Sequence, residues 1–115
     1  MGEVNRNMSF VFVLTYGIKD GKRAEHLAMM KKFLKFKKAD PKVFEGLISW
    51  RLFEQKYGGV AGTYVEMAEF KSMEDMEKWE KRVFEHKEIK ELVTELHKIE
   101  DHHTPTTQSI WNTVV

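Results

Sequence analysis

Four short segments rich in β-branched and aromatic residues punctuate this chain, and a helical pattern separates the first from the second and the third from the fourth. The first, SFVFVLTYGI over 9–18, is apolar at nearly every position, as a strand covered on both faces requires. The turn-like Lys19-Asp20-Gly21 then leads into a helix predicted over 22–38, where His26, Met29, Met30, Phe33 and Leu34 recur at helical spacing against a lysine-rich side. Asp40-Pro41 ends that helix, because the residue before a proline is pushed out of helical geometry. LISWRLFEQKY at 47–57 and TYVEMAEF at 63–70 read as the strands of a hairpin joined across the glycine-rich 58–62. Ser72 with Asp75 three residues on has the form of an N-cap, opening a helical stretch to about Glu100, and QSIWNTVV at 108–115 reads as the last strand.

The second helix is not expected to be straight. At about 100° per residue Met76, Trp79 and Val83 point one way, while Ile89, Leu92, Val93 and Leu96 point roughly 150° away, so a break over 84–87 is predicted. The order β-α-β-β-α-β is the ferredoxin-like α+β arrangement, a four-stranded antiparallel sheet with its helices on one face. Alternate residues of the strands are apolar on both sides, so the bare face is expected to close on that of a second copy as a homodimer. With 115 residues, one domain over 1–115 with one core is the expected organisation.

Composition removes whole classes of function. Cysteine is absent, which excludes disulfides, thiolate nucleophiles and cysteine-zinc sites. The longest apolar run, 10–14, is far short of the roughly 20 residues that cross a bilayer, and the N-terminal MGEVNRNMSF lacks a secretory core, so a cytoplasmic, membrane-free protein is expected. A net charge of +1 gives no field to hold a polyanion, so nucleic acid is not an expected partner. The lysine run at 31–38 reads as a solvated helix face with Phe33 and Leu34 turned inward. No glycine-rich phosphate loop, GxSxG turn or HExxH pair is present.

Within the strands, Ser49, Arg51, Glu66 and Asn112 interrupt the apolar pattern and face either a lined cavity or water. Arg51 and Glu66 lie on neighbouring hairpin strands, where an ion pair is the first expectation and substrate contact the second. Trp50 and Tyr64 beside them would supply aromatic walls for a small aromatic or acidic ligand. His26, inside an apolar stripe, reads as a hydrogen-bonded core histidine. His97, Asp101, His102 and His103 match no standard zinc spacing, and no metal site is expected.

Over 70–87 the chain carries Phe70 at a strand end, Lys71-Ser72, Trp79 nine residues after the aromatic, Val83-Phe84, and then His86-Lys87. This resembles the dimeric α+β barrel superfamily, in its antibiotic-biosynthesis monooxygenase-like branch, which includes haem-degrading monooxygenases. The resemblance implies a cofactor-free monooxygenase acting on a small aromatic substrate lined by Trp50, Tyr64, Trp79 and His86, with His86 as catalytic residue. Arg51, Glu66 and Asn112 join the candidate ligand-binding set. A non-catalytic ligand-binding or stress-response barrel is the alternative, with His86 at a helix break and Trp79 in the core. A haem-binding or haem-degrading enzyme stands third. In that case the resemblance makes His86 the iron ligand and Trp79 the porphyrin wall, with Leu14 or Thr15 where the oxygen-orienting asparagine would stand.

Overall fold

A computed structural model describes residues 9–114. The elements are β1 (Phe10–Gly17), α1 (Arg23–Ala39), β2 (Leu47–Glu54), β3 (Thr63–Phe70), α2 (Met73–Glu85), α3 (Lys87–Ile99) and β4 (Thr107–Asn112). Every strand pairing is antiparallel, in the order β2-β3-β1-β4, which makes this the ferredoxin-like α+β fold with its second helix in two pieces. Two elements end earlier than the sequence pattern suggests. The last strand closes at Asn112 rather than 115, a residue outside those described, and β2 ends at Glu54 before the glycine-rich turn. In that turn Gly62 has φ +84°, and a Cβ there would lie 2.9 Å from the Ile18 carbonyl oxygen. The same approach lets Ile18 N–H donate to the Gly62 carbonyl at 2.9 Å, so only glycine suits both the backbone and the contact.

Register sorts the side chains. Phe10, Phe12, Leu14 and Tyr16 of β1 stand opposite Phe70, Ala68, Glu66 and Tyr64 of β3, and successive residues alternate faces. The face carrying this set packs on the helices. Ala68 and Phe70 join Met76, Trp79, Ile89 and Phe44 in one buried cluster, and Tyr16 and Tyr64 join Ile18 and Ile99 in a second. The other face bears Val11, Val13, Val65, Met67, Phe53 and Trp111, with Phe53 and Trp111 exposed.

The predicted break falls at His86. Its backbone is extended (φ −79°, ψ 113°), its N–H donates to the Val83 carbonyl at 3.2 Å, and its Nδ1 accepts from Ile89 N–H at 3.2 Å. His86 therefore ends α2 and caps α3, satisfying donors that a helix start leaves bare. The redirection lets both apolar stripes reach the core: Met76 and Trp79 are buried from α2, Ile89 and Ile99 from α3. Ser72 caps α2 as expected, accepting from Asp75 N–H at 3.1 Å. No described helix is long and apolar enough to cross a membrane.

Because Ile89 is wholly enclosed where α3 meets the sheet, Ile89→Ala is expected to lower unfolding free energy by about 2–5 kcal/mol, measured by urea denaturation.

Candidate functional site

Where α3 turns away from α2, the helices do not fill the space above the sheet. A cavity of about 280 Å³ remains, walled by Phe12, Leu14 and Tyr16 of β1, Trp50 of β2, Phe33 of α1, Trp79 and Val83 of α2, and Leu92, Val93 and Leu96 of α3. It opens beside Phe84, His97 and Gln108, all of them exposed. Glu66 reaches into this apolar space from β3. Its Oε1 accepts from Trp50 Nε1 at 2.7 Å, and no described residue hydrogen bonds to its Oε2. Some of the residue's surface still meets the cavity, yet its carboxyl group is enclosed by packed atoms; burial pushes it above the usual carboxylate range, and the Trp50 hydrogen bond offsets only part of that.

Tyr16, one of the cavity walls, is tied into the core by a buried contact between its Oη and His26 Nε2, 2.7 Å apart. Burial holds the Tyr16 phenol protonated, with the negative charges of Glu66 and Glu100 acting in the same direction, and burial lowers the His26 imidazole against an opposing pull from Glu54. The phenol then donates and Nε2 accepts. The reverse arrangement would strand the phenol proton as well as Nδ1, and Nδ1 is already without a partner among the described residues. His26 is thus the hydrogen-bonded core histidine that its stripe predicts.

Behind His26 lies Tyr64, its ring centroid 4.3 Å away, whose hydroxyl donates to Glu54 Oε2 at 2.6 Å. Arg23 completes the chain with two contacts to Glu54, Nε to Oε2 at 2.7 Å and Nη2 to Oε1 at 3.2 Å. The Arg23 and Tyr64 hydrogen bonds pull the Glu54 carboxyl down to about 2, while burial and then Glu54 push the Tyr64 phenol up to about 12. These groups form an outer depression of about 410 Å³ with Lys19, Asp20 and Asp101, separate from the inner cavity.

Of the residues singled out in the sequence, the structure brings Trp50, Glu66 and Trp79 together around the cavity. Tyr64 faces the outer depression. The expected Arg51–Glu66 ion pair is corrected by register: Leu52 stands opposite Glu66 and Met67 opposite Arg51, so the two charges lie on opposite faces of the sheet. Arg51 instead lies over the Phe53 ring, 4.8 Å from its centroid. Asn112 is exposed at the end of the edge strand, opposite Phe10 and away from the cavity lining. His86 is also outside the lining: Nδ1 is held by the α3 cap, Nε2 lies 3.8 Å from Asp40 Oδ2, and the ring packs on Phe36.

Haem is poorly matched by these residues. His86 does not face the cavity, His26 Nε2 is taken by Tyr16, and His97 stands at the mouth, 3.0 Å from Glu100. Among the described residues no cluster of three metal-capable side chains occurs. Phe12, Tyr16 and the α3 aliphatics do not stand out as cavity walls in the sequence, because a wall residue and a core residue have the same apolar signature. The alternation along β1, which puts Phe12, Leu14 and Tyr16 on one face, was the available signal.

With His86 acting as a cap, His86→Ala is expected to lower stability by about 1 kcal/mol in thermal or urea unfolding. Its occupancy of the cavity by an aromatic probe should be unchanged in calorimetric titration.

No protein-family model matches the chain, and no curated protein sequence matches it. Solved structures do. A protein of Caulobacter crescentus CB15, provisionally named an antibiotic biosynthesis monooxygenase, superposes with TM-score 0.71 at 14% identity, covering 100% of this chain and 99% of that one. SnoaB of Streptomyces nogalater, described as a cofactor-independent oxygenase, gives 0.62 at 13% identity, with 90% of each chain covered. A dimeric protein of unknown function from Bacteroides fragilis NCTC 9343, described as having a ferredoxin-like fold, gives 0.59 at 14%, covering 90% of this chain and 94% of that one. The chain thus shares the ferredoxin-like α+β fold of these structures.

Proposed function

We propose that this protein is a monooxygenase-like barrel subunit that binds a small, electron-rich aromatic molecule between its sheet and its helices and oxidises it with dioxygen, without a cofactor. The observation that carries this reading is the inner cavity: about 280 Å³, near the lower end of small-molecule pockets (about 300–1,000 Å³), aromatic on several sides, with one carboxyl group inside it. In such chemistry the substrate is the reductant and dioxygen the oxidant. The protein has to position the substrate, exclude water and accommodate the charge that develops. Trp50, Trp79, Phe12 and Phe33 would position a flat ring, and Glu66 would be the group that takes up a proton. The likeness to SnoaB supports the reaction class; the likeness to a protein of unknown function leaves a ligand-binding barrel as its competitor.

A homodimer belongs to the same proposal. The sheet face turned from the helices carries Val11, Val65, Met67, Phe53 and Trp111, an apolar surface that a second copy would cover. The Bacteroides fragilis structure of this fold is described as dimeric. Pairing through this face would leave each inner cavity within one subunit, so assembly would rigidify the cavity floor without lining it.

Two measurements test the reading. Oxygen-electrode assays with a panel of hydroquinones and hydroxynaphthalenes in the presence of a chelator should show uptake by the protein, and Leu92→Trp, which fills the cavity, should abolish it; absence of uptake across the panel would leave the ligand-binding barrel. Light scattering should give twice the 13.6 kDa chain mass, and Trp111→Glu, which places a charge on the bare face, should shift the mass toward a single chain.

A further inference from the structure

The charged groups that line the inner cavity are nearly all of one sign. Three carboxylates border it, Glu66 from the sheet, Glu80 from α2 and Glu100 just after α3, and the one imidazole, His97, already contacts Glu100 at 3.0 Å. The chain has 19 lysines and arginines, yet not one described member lines this cavity. An anionic ligand would therefore meet three like charges, one of them poorly solvated, and no counter-charge. A ligand with a hydrogen-bond donor would find an acceptor instead. Glu66 Oε1 is fixed by Trp50 Nε1 at 2.7 Å, which orients the carboxyl group and leaves Oε2 for an incoming donor.

We propose that the inner cavity selects an uncharged, flat aromatic ligand carrying a hydroxyl group, that this hydroxyl donates to Glu66 Oε2, and that Glu66 is the specificity residue that turns away aromatic carboxylates. The inference rests on the reading of the cavity as the binding site and adds the ligand class and the residue that reads it. The expectation of an acidic ligand, drawn from Arg51 beside Glu66, is replaced because Arg51 lies on the other face of the sheet. Trp50 acts as a positioning residue, holding the Glu66 carboxyl by the indole N–H while its ring forms part of the wall. Discrimination follows from the asymmetry of buried polar groups: a ligand that supplies the donor satisfies Glu66, and one that brings a second carboxylate leaves both charges uncompensated.

Glu66→Gln is a usable variant, because glutamine keeps an oxygen for Trp50 while it removes the charge and puts an amide donor where the Oε2 acceptor stood. A carboxyl that binds its proton more tightly folded than unfolded lowers stability as pH rises through the interval between its two values, so the neutral amide should leave the fold at least as stable at pH 7. Calorimetric titration of the full chain at pH 7 with 2-naphthol and with 2-naphthoate is the test. The wild type is expected to favour naphthol by about tenfold or more, and Glu66→Gln to shrink that ratio to about threefold or less, mainly by admitting naphthoate. Trp50→Phe, which keeps a ring but loses the N–H, should weaken naphthol binding by about threefold to tenfold while naphthoate changes little. Equal affinity of the two probes for the wild type, an unchanged ratio in Glu66→Gln, or binding of neither probe would overturn the proposal. Selective naphthol binding without oxygen uptake would uphold it and remove the oxygenase reading alone.

Discussion

Antiparallel register between β1 and its two neighbours is the constraint on which the rest of this structure depends. Because side chains alternate along a strand, the pairing of Leu14 with Glu66 commits Phe10, Phe12, Tyr16, Tyr64 and Phe70 to the helix side, and sends Val11, Val13, Val65 and Met67 to the other. A slip by one residue would exchange the two sets, placing Glu69 under the helices and Glu66 on the bare face. Glu69 is suited to the bare side, where Ser9 and Ser49 hydroxyls donate to it at 2.6 and 3.1 Å. Glu66 has the indole of Trp50 on the helix side. Each carboxylate is matched to its own face, which is what gives the register its polar specificity.

Above that sheet, the helix break decides whether there is a cavity. A continuous second helix would bury one apolar stripe and expose the other, since the stripes of α2 and α3 differ in phase. Ending the helix at His86 buries both, and the divergence of α3 leaves space over Leu14 and Glu66 that no described side chain fills. The break, set by the phase difference of the two stripes, therefore shapes the site through the direction of α3, while the His86 ring only caps the helix start. The aromatic residues that flank the space, Trp79 packed on Phe70 and Phe33 tilted against Trp50, belong to the core on one side and to the cavity on the other.

The two polar networks inside the fold differ in electrostatic character. Arg23, Glu54 and Tyr64 form a solvent-facing network in which each charge has a partner, so Glu54 stays ionised down to about 2. Glu66 has a neutral donor and, among the described residues, no cation beside it, so its environment works against its charge. Burial makes the charged form of Glu66 cost stability as pH rises through the interval between its unfolded and folded values.

Much of this was legible in the chain as a string. Periods of two and of 3.6 identified the strands and helices, the phase jump between Val83 and Ile89 located the break, and Ser72 with Asp75 announced the cap, because each of these is a local property of neighbouring residues. The choice of Trp50, Glu66 and Trp79 as candidate site residues was also available from the sequence. What only the tertiary structure decided was which of the candidates meet. Hairpin register set Arg51 and Glu66 on opposite faces, the α3 cap took the His86 ring away from the cavity, and Tyr16, unremarkable in the sequence, became a cavity wall held by His26. The physical reason is that facing direction and cavity volume depend on pairings between residues far apart in the chain, whereas the apolar pattern of one segment reads the same whether its side chains fill a core or surround a space.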